Sequence, residues 1–556
     1  MKIRSKANTF TARFSENEEH TFLNGTSLTE ILEIVPPEIQ KEIVLAKVNN
    51  RIHSLHEEVN ENCKIEWIPI HSIEGMRAYQ KTLSILLVRT VSELYPRNKL
   101  VIDHSLGNGI YCEFKGRSRL SKAVIRKIKK RMQEIIDTNE LLLPVSLKRD
   151  EILNQFQKHG ETSRYVAGNP ELLTYLTFYK SGDVLNYPGY PLLPKTGLIR
   201  SFDLQHWPPG LVIIQPEMNI NAPVEPVHEI NLFLVFHEYS EWGKILGVNK
   251  VADVNEAIKS KKIYPLIKIA EGLHEKKIAQ TADMLTRKNN SRRIVLIAGP
   301  SSSGKTTFTK RLEIQLRVNG HQPLVISLDD YFLRREATPR NEKGEYDFES
   351  PGAVDSDHLN RDLADLLNGK TVQLPKYNFK DGISQPGRVV KLQPGEPVLI
   401  EGIHCLNDAI TAQIPRRRKM KIYVSDLTQL NVTDHLRVPT SDVRLLRRMV
   451  RDSQFRGHPV IETLQRWPSV RNGEENNIFP FQEDADIIFN SSLMYEIPVL
   501  KFLAEPLLAE VTREHAEHSE AQRILLLLSY FLPISPDVVP LNSILREFTG
   551  GSSFKY

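Results

Sequence analysis

The chain has 556 residues, too many for one hydrophobic core, so about two to four domains are expected. Its 73 Lys and Arg against 68 Asp and Glu leave a formal net charge of +5, compatible with phosphate-bearing ligands and not demanding nucleic acid. Cys63, Cys112 and Cys405 form no C-x-x-C, Lys2 and Arg4 precede no apolar signal segment, and the run Ile524 to Leu532 is too short for a bilayer, so a cytoplasmic chain with free thiols and no membrane partner is expected.

Thr9 to Phe14 and the surroundings of Phe22 alternate like a hairpin, with Asn24-Gly25 as a turn signal. Ser27 or Thr29 caps a following helix, and Val44 to Val48 reads as a strand. The order β-β-α-β suits a small β-grasp module. "EHTFLNGTSLTEIL" followed by "VLAKVNNRIHSLHEEV" resembles a TGS domain, the ubiquitin-like module of threonyl-tRNA synthetases, some GTPases and stringent-response enzymes. Residues 1–62 are assigned to it, and the resemblance implies binding or regulation.

Residues 63–245 form the next expected domain. Met76 to Tyr95 is an amphipathic helix with Leu83, Leu86, Leu87, Val91 and Leu94 at helical spacing. "NKLVIDHSLGNGIYCEF" is a strand pair joined through Gly107-Asn108-Gly109. Leu120 to Asn139 is a basic helix whose plainer reading is a solvated face above a stripe of Val124, Ile125, Ile128, Met132 and Ile135. This order resembles the editing domain that follows TGS in threonyl-tRNA synthetases. The resemblance implies an H-x-x-x-H helix with a later Cys and His. Lys81 and Ile85 stand at the two histidine positions, and Pro188 and Leu192 near the other two. Such a set cannot hold Zn2+ or activate water, so a retained fold without editing activity is expected. His237-Glu238 is not H-E-x-x-H, because residue 241 is Glu. "INLFLVFHEY" (230–239) reads as a strand or buried segment. Residues 246–290 form a helical connector, with Asn289-Asn290-Ser291 as a boundary.

Ile294 to Ile297 lead into Gly299, Gly304, Lys305 and Thr306, a G-x-x-x-x-G-K-T loop between a buried strand and a helix. Its glycines let backbone N–H groups turn around phosphate oxygens, and the helix N-terminus adds a favourable dipole. Gly299, Ser301, Ser302, Ser303, Gly304, Lys305, Thr306 and Thr307 are the expected ATP-binding residues, with the Thr306 hydroxyl on Mg2+. Leu324 to Ser327 is a strand that delivers Asp329 and Asp330, one a base for an acceptor hydroxyl and one a structural cap. Val398 to Glu401 is another strand ending in an acid, and Glu401 is expected to bind or orient Mg2+. Arg444, Arg447, Arg448 and Arg451 share one helical face within 442–457, which reads as a cationic lid that closes on ATP; a solvated basic helix is the plainer alternative. The succession of strands and helices predicts a doubly wound α/β domain.

Together "GPSSSGKTT", "SLDDYF", "YDFESPGAVD", "PKYNF", "VLIEGIH" and "RLLRRMVRDSQFRG" resemble the uridine kinase and phosphoribulokinase family of P-loop kinases, over about 291–500. The resemblance makes Asp329 the catalytic aspartate and Glu401 the Mg2+-associated acid. It places Arg447, Arg451 and Arg456 in the lid and Tyr377 at the acceptor. Catalysis is then expected from Asp329, Lys305, Arg447 and Arg451, nucleotide contact from Arg456, and substrate contact from Asp329, Asp347, Glu349, Tyr377 and Arg444. Two departures touch the acceptor side. The family's F-D-H-P reads Phe348-Glu349-Ser350-Pro351, and the histidine that reads the pyrimidine edge is Gly382. The complete layout resembles a bacterial group fusing TGS, synthetase-like and uridine-kinase-like domains, with helices over 501–556. The expected fold is multidomain α/β, and the expected activity is Mg2+-dependent phosphorylation of a nucleoside 5′-hydroxyl by ATP. A phosphorylated sugar is the near alternative acceptor. A TGS-bearing GTPase or RNA regulator is the distant one, and its guanine-reading N-K-x-D is missing after the loop: Asn249-Lys250-Val251-Ala252-Asp253 precedes it with the wrong spacing. RNA contact by the N-terminal half and homo-oligomerisation stay open.

Overall fold

The structure is a computed structural model that describes residues 9–15, 18–145, 147–148, 150–152, 154, 176–287, 292–341 and 344–556. The expected boundary at Asn289-Asn290-Ser291 lies outside the described residues.

The N-terminal sheet has five strands in the order Glu18–Leu23, Thr9–Ser15, Cys63–Pro69, Ile43–Val48, Arg51–Ser54. Thr9–Ser15 pairs antiparallel with Glu18–Leu23 and parallel with Cys63–Pro69. Ser27 caps the helix Leu28–Ile31 with a reciprocal Glu30 contact, a capping box. Cys63–Pro69 is a central strand of this sheet, so the sheet runs past residue 62, where the sequence reading ended the module.

A second body packs the long helix Ile73–Leu94 and the helix Lys122–Asp137 on an antiparallel sheet ordered Asp203–Trp207, Gly210–Ile214, Gly109–Gly116, Asn98–Leu106. Leu83, Leu86, Ile128 and Met132 meet Leu100, Ile102, Leu211 and Ile213 in one core. At the places read as histidine and metal positions, Ile85 and Leu192 pack with Leu142 and Tyr179 in a separate apolar cluster. Residues 230–239 are helical, within Ile230–Leu246, and not a strand. The apolar run Leu232 to Phe236 hides the period. Leu232, Phe233 and Phe236 are buried while Leu234 is 56% exposed, and Gly247 at φ +66° closes the helix.

The C-terminal half is built on five parallel strands ordered Leu324–Ser327, Val398–Glu401, Ile294–Ala298, Lys419–Ser425, Ile487–Asn490. The central strand is buried on both faces. Ile294, Leu296 and Ala298 enter one core, with Leu359 and Leu363; Val295 and Ile297 enter the other, with Phe308, Leu312, Val443 and Leu446. Helices Glu496–Ala509 and His518–Ser529 join this second core through Leu500, Leu508, Ile524 and Leu528. The two halves dock through the segment after Ser425. Ile102 donates its N–H to Asp434 O and accepts from Asn431 Nδ2, and Lys99 pairs with Asp434 at 2.9 Å. Among the described residues no helix is long and apolar enough to cross a membrane.

Candidate active site

The phosphate loop joins the strand Ile294–Ala298 to the helix Lys305–Val318. Gly299 is required by space: a Cβ there would stand 1.9 Å from the Val424 carbonyl oxygen. Gly304 is required by conformation, at φ +85°. Lys305 donates to the Pro300 carbonyl at 3.1 Å, folding back along the loop. The Ser302 and Ser303 hydroxyls are buried without hydrogen-bond partners among the described residues.

Two carboxylates stand where parallel strands end beside this loop. Asp329 follows Leu324–Ser327 in a short turn of helix and is exposed to solvent. The surrounding protein and neighbouring Asp330 hold its carboxyl above the usual range, against the pull of Lys305. Asp330 is engaged: it accepts the Tyr377 N–H at 3.3 Å and pairs with Lys376 at 3.1 Å. The pair therefore divides, with Asp330 fastening the strand Thr371–Asn378 that carries Lys376 and Tyr377, and Asp329 left with its carboxylate free of any hydrogen bond among the described residues. Glu401 ends Val398–Glu401 and accepts from Ser327 Oγ at 3.4 Å. Burial and the Asp329 charge push its carboxyl up to about 7.

The arginine helix Thr440–Arg451 departs from the expected lid. Arg444 and Arg447 point inward and are buried, 1% and 0% exposed. Arg444 holds Glu474 in a two-pronged pair at 2.7 and 2.5 Å. Arg447 holds Glu496 at 2.6 Å and donates to Ser491. They are not uncompensated, because their partners arrive from later helices. Glu474 also accepts the Ser301 N–H at 3.0 Å, and Arg447 reaches the Ser302 carbonyl at 3.4 Å. Both arginines thus brace the phosphate loop from behind. The cationic surplus lies on the rest of the segment. Arg448 donates to Ser301 Oγ at 2.9 Å, and Arg448, Arg451 and Arg456 share the single carboxylate of Asp452 at 3.3 to 3.4 Å. Burial beside Arg456 holds Arg451 down to about 10.

At the acceptor end, Tyr377 lies on the strand Thr371–Asn378, packed edge-on against Phe332 and Phe379, with its hydroxyl buried and unpartnered among the described residues. Asp347 receives the Glu349 N–H. Burial, eased by Arg448, raises Glu349 to about 7. Gly382, at φ +72°, is covered by Arg335: a Cβ there would meet Arg335 Cβ at 2.8 Å.

Two site residues escaped the sequence reading. Glu474 fixes Ser301 as described. Glu547, from the helix Arg546–Thr549, accepts both the Thr307 N–H at 3.1 Å and the Thr307 hydroxyl at 2.7 Å. Tyr556 OH meets the same hydroxyl at 2.8 Å. A carboxylate therefore sits on donors that the loop would offer to a phosphate. No local motif marks either glutamate, since each acts across more than 170 residues of chain. Asn249 to Asp253 is a helix start: Asp253 Oδ2 accepts the Asn249 and Lys250 N–H groups.

A phosphate loop at the end of a central parallel strand, flanked by acids from two neighbouring strand ends, defines a P-loop phosphotransferase fold. Through residues 294–497 the chain belongs to the phosphoribulokinase/uridine kinase family, whose sequence profile matches that stretch. Uridine kinases of Staphylococcus aureus strains JH9 and Newman are each 32% identical over 196 residues, 35% of this chain and 86% of the relative. The structure of a possible uridine kinase from Bacillus stearothermophilus covers 39% of this chain and 97% of its own, at 21% identity and a TM-score of 0.27. Kinase chemistry with ATP binding and a small acceptor comes with the family.

Proposed function

We propose that the chain transfers the γ-phosphoryl group of ATP to the 5′-hydroxyl of a nucleoside. The observation that carries this reading is Asp329: an accessible carboxylate with no hydrogen-bond partner among the described residues and a raised proton affinity, beside Lys305 of the phosphate loop. A base in that state can take the acceptor proton as the oxygen attacks the phosphorus. Lys305, released from Pro300, and Arg448, Arg451 and Arg456 supply positive charge where the transferring group carries negative charge. Tyr377, Glu349 and Asp347 line the acceptor side.

Mg2+ fits this donor set. Burial and the neighbouring Asp329 charge raise the Glu401 carboxyl, and Lys305 offsets only part of that, so the pair favours a cation. Among the described residues no three His, Cys, Asp or Glu side chains form a cage, so phosphate oxygens and water would complete the shell, as Mg2+ prefers. Thr306 and Glu401 would hold it, directly or through water, and when bound it neutralises charge on the phosphates.

Gly382 supports a second reading. Where the family reads the base with histidine, Arg335 covers a glycine, which suits a phosphorylated sugar as well as a nucleoside. We read residues 9–69 as a TGS-like binding module and the following antiparallel body as a synthetase-like domain without editing chemistry. The test is a panel of nucleosides and phosphorylated sugars assayed for ATP consumption, with product masses measured. A nucleoside monophosphate as main product supports the first reading. A sugar bisphosphate moves it to the second, and ATP consumption with neither product removes both.

A further inference from the structure

A cavity of about 180 Å3 separates the N-terminal half from the arginine helix. Its walls come from the helix Ile73–Leu94, the segment 187–190, the segment 435–442 and the helix His518–Ser529. Four cations line it, and they are not equally answered. Arg523 is paired twice with Asp442, at 2.5 and 2.8 Å, and Arg77 is paired with Glu520 at 3.1 Å. Lys81 has no hydrogen-bond or ion-pair partner among the described residues. Arg437 has only the neutral Ser105 hydroxyl, at 2.6 Å. Two cations therefore face the same space without a carboxylate of their own. Burial, then the charges of Arg437, Arg523 and Arg77, holds the Lys81 ammonium down to about 7; Asp442, engaged by Arg523, offsets only part of this.

Two further features converge there. The helix Thr440–Arg451 begins at the cavity with Pro439 as its cap, and no side chain accepts hydrogen bonds from its first turn. Its N-terminal dipole therefore adds positive potential. Tyr190, 9% exposed, lines the cavity with a hydroxyl that has no partner among the described residues.

We infer that this cavity binds a small dianion, a phosphomonoester group or inorganic phosphate, held by Lys81, Arg437 and the first turn of the helix Thr440–Arg451. Its charge matches the two unanswered cations. The volume admits a phosphate on a short carbon body and excludes a nucleotide. The site lies apart from the phosphate loop, although the helix that opens it carries Arg448 to Ser301 further along.

The test is calorimetric titration of the full chain with inorganic phosphate and, separately, glycerol 3-phosphate, in wild type and in Lys81→Met, Arg437→Met, Lys81→Arg and Lys305→Met. Saturable binding is expected in the wild type. It weakens about tenfold or more in Lys81→Met and in Arg437→Met, because each loses one charge-assisted contact. It persists in Lys81→Arg, which excludes misfolding as the cause, and in Lys305→Met, which excludes the phosphate loop. Tighter binding of glycerol 3-phosphate identifies a phosphomonoester, and tighter binding of phosphate the free ion. Absence of wild-type binding through the millimolar range overturns the assignment. So does affinity unchanged in both Met variants, or lost only in Lys305→Met.

Discussion

At the scale of single residues, the active-site reading rests on which carboxylates are free and which are occupied. Asp330 is tied to Tyr377 and Lys376, whereas Asp329 is not tied. Asp329→Asn should lower kcat by about 100-fold or more, the range for loss of a general base, while ATP binding by equilibrium dialysis stays within about twofold. Retained turnover would remove Asp329 from its role. Glu547 occupies the Thr307 donors that a phosphate needs. Glu547→Gln removes the competing charge and should tighten ATP binding by about fivefold, near 1 kcal/mol. Weaker binding would mean that Glu547 assists the nucleotide. Glu401 carries the pH dependence. Its folded-state value, about 7, lies above the unfolded 4.5. The folded protein therefore holds the extra proton between those values, and the ionised group costs stability above pH 7. In metal-free protein Glu401→Gln should raise Tm more at pH 8 than at pH 5. Equal shifts would contradict this.

At the scale of elements, the phosphate loop was legible because strand, glycines, Lys-Thr and helix are contiguous, and each requirement is local. The arginine helix was half legible. Its periodicity put the cations on one face, but the sequence does not show that Glu474 and Glu496 return to pair with two of them. The helix Ile230–Leu246 was legible only as a strand or a buried segment because the apolar run Leu232 to Phe236 carries no period, and burial on one side alone reveals it. The corrected division of arginines separates two phenotypes. Arg444→Ala removes the two-pronged partner of buried Glu474 and leaves it only Arg471, at 3.1 Å, so it should cost about 2–4 kcal/mol in denaturant unfolding. Arg448→Ala, on a half-buried residue touching Ser301 Oγ, should leave stability within about 1 kcal/mol and raise KM for ATP. The reverse pattern, a stable Arg444→Ala with altered ATP binding, would restore the lid reading of that residue.

At the scale of the molecule, the family match and the parallel sheet account for residues 294–497, and their kinase class was readable because kinase motifs are short. The joining of the halves was not readable. Contacts such as Ile102 with Asp434, or Arg77 with Glu520, link positions hundreds of residues apart through single backbone groups and ion pairs. The same docking creates the cavity of Lys81 and Arg437, and it turns a lysine that looked like a lost metal ligand into a wall of a charged space. Ile85 and Leu192, two of the other three positions of that set, pack together as apolar side chains should. The central claim concerns where the phosphoryl group goes. Its most direct test is 31P NMR with mass spectrometry of the product formed by the full chain from ATP, Mg2+ and an equimolar mixture of nucleosides. A nucleoside phosphorylated at its 5′-oxygen, with ADP released in equal amount, is the expected result; ADP accompanied only by inorganic phosphate, with every nucleoside unchanged, would contradict it.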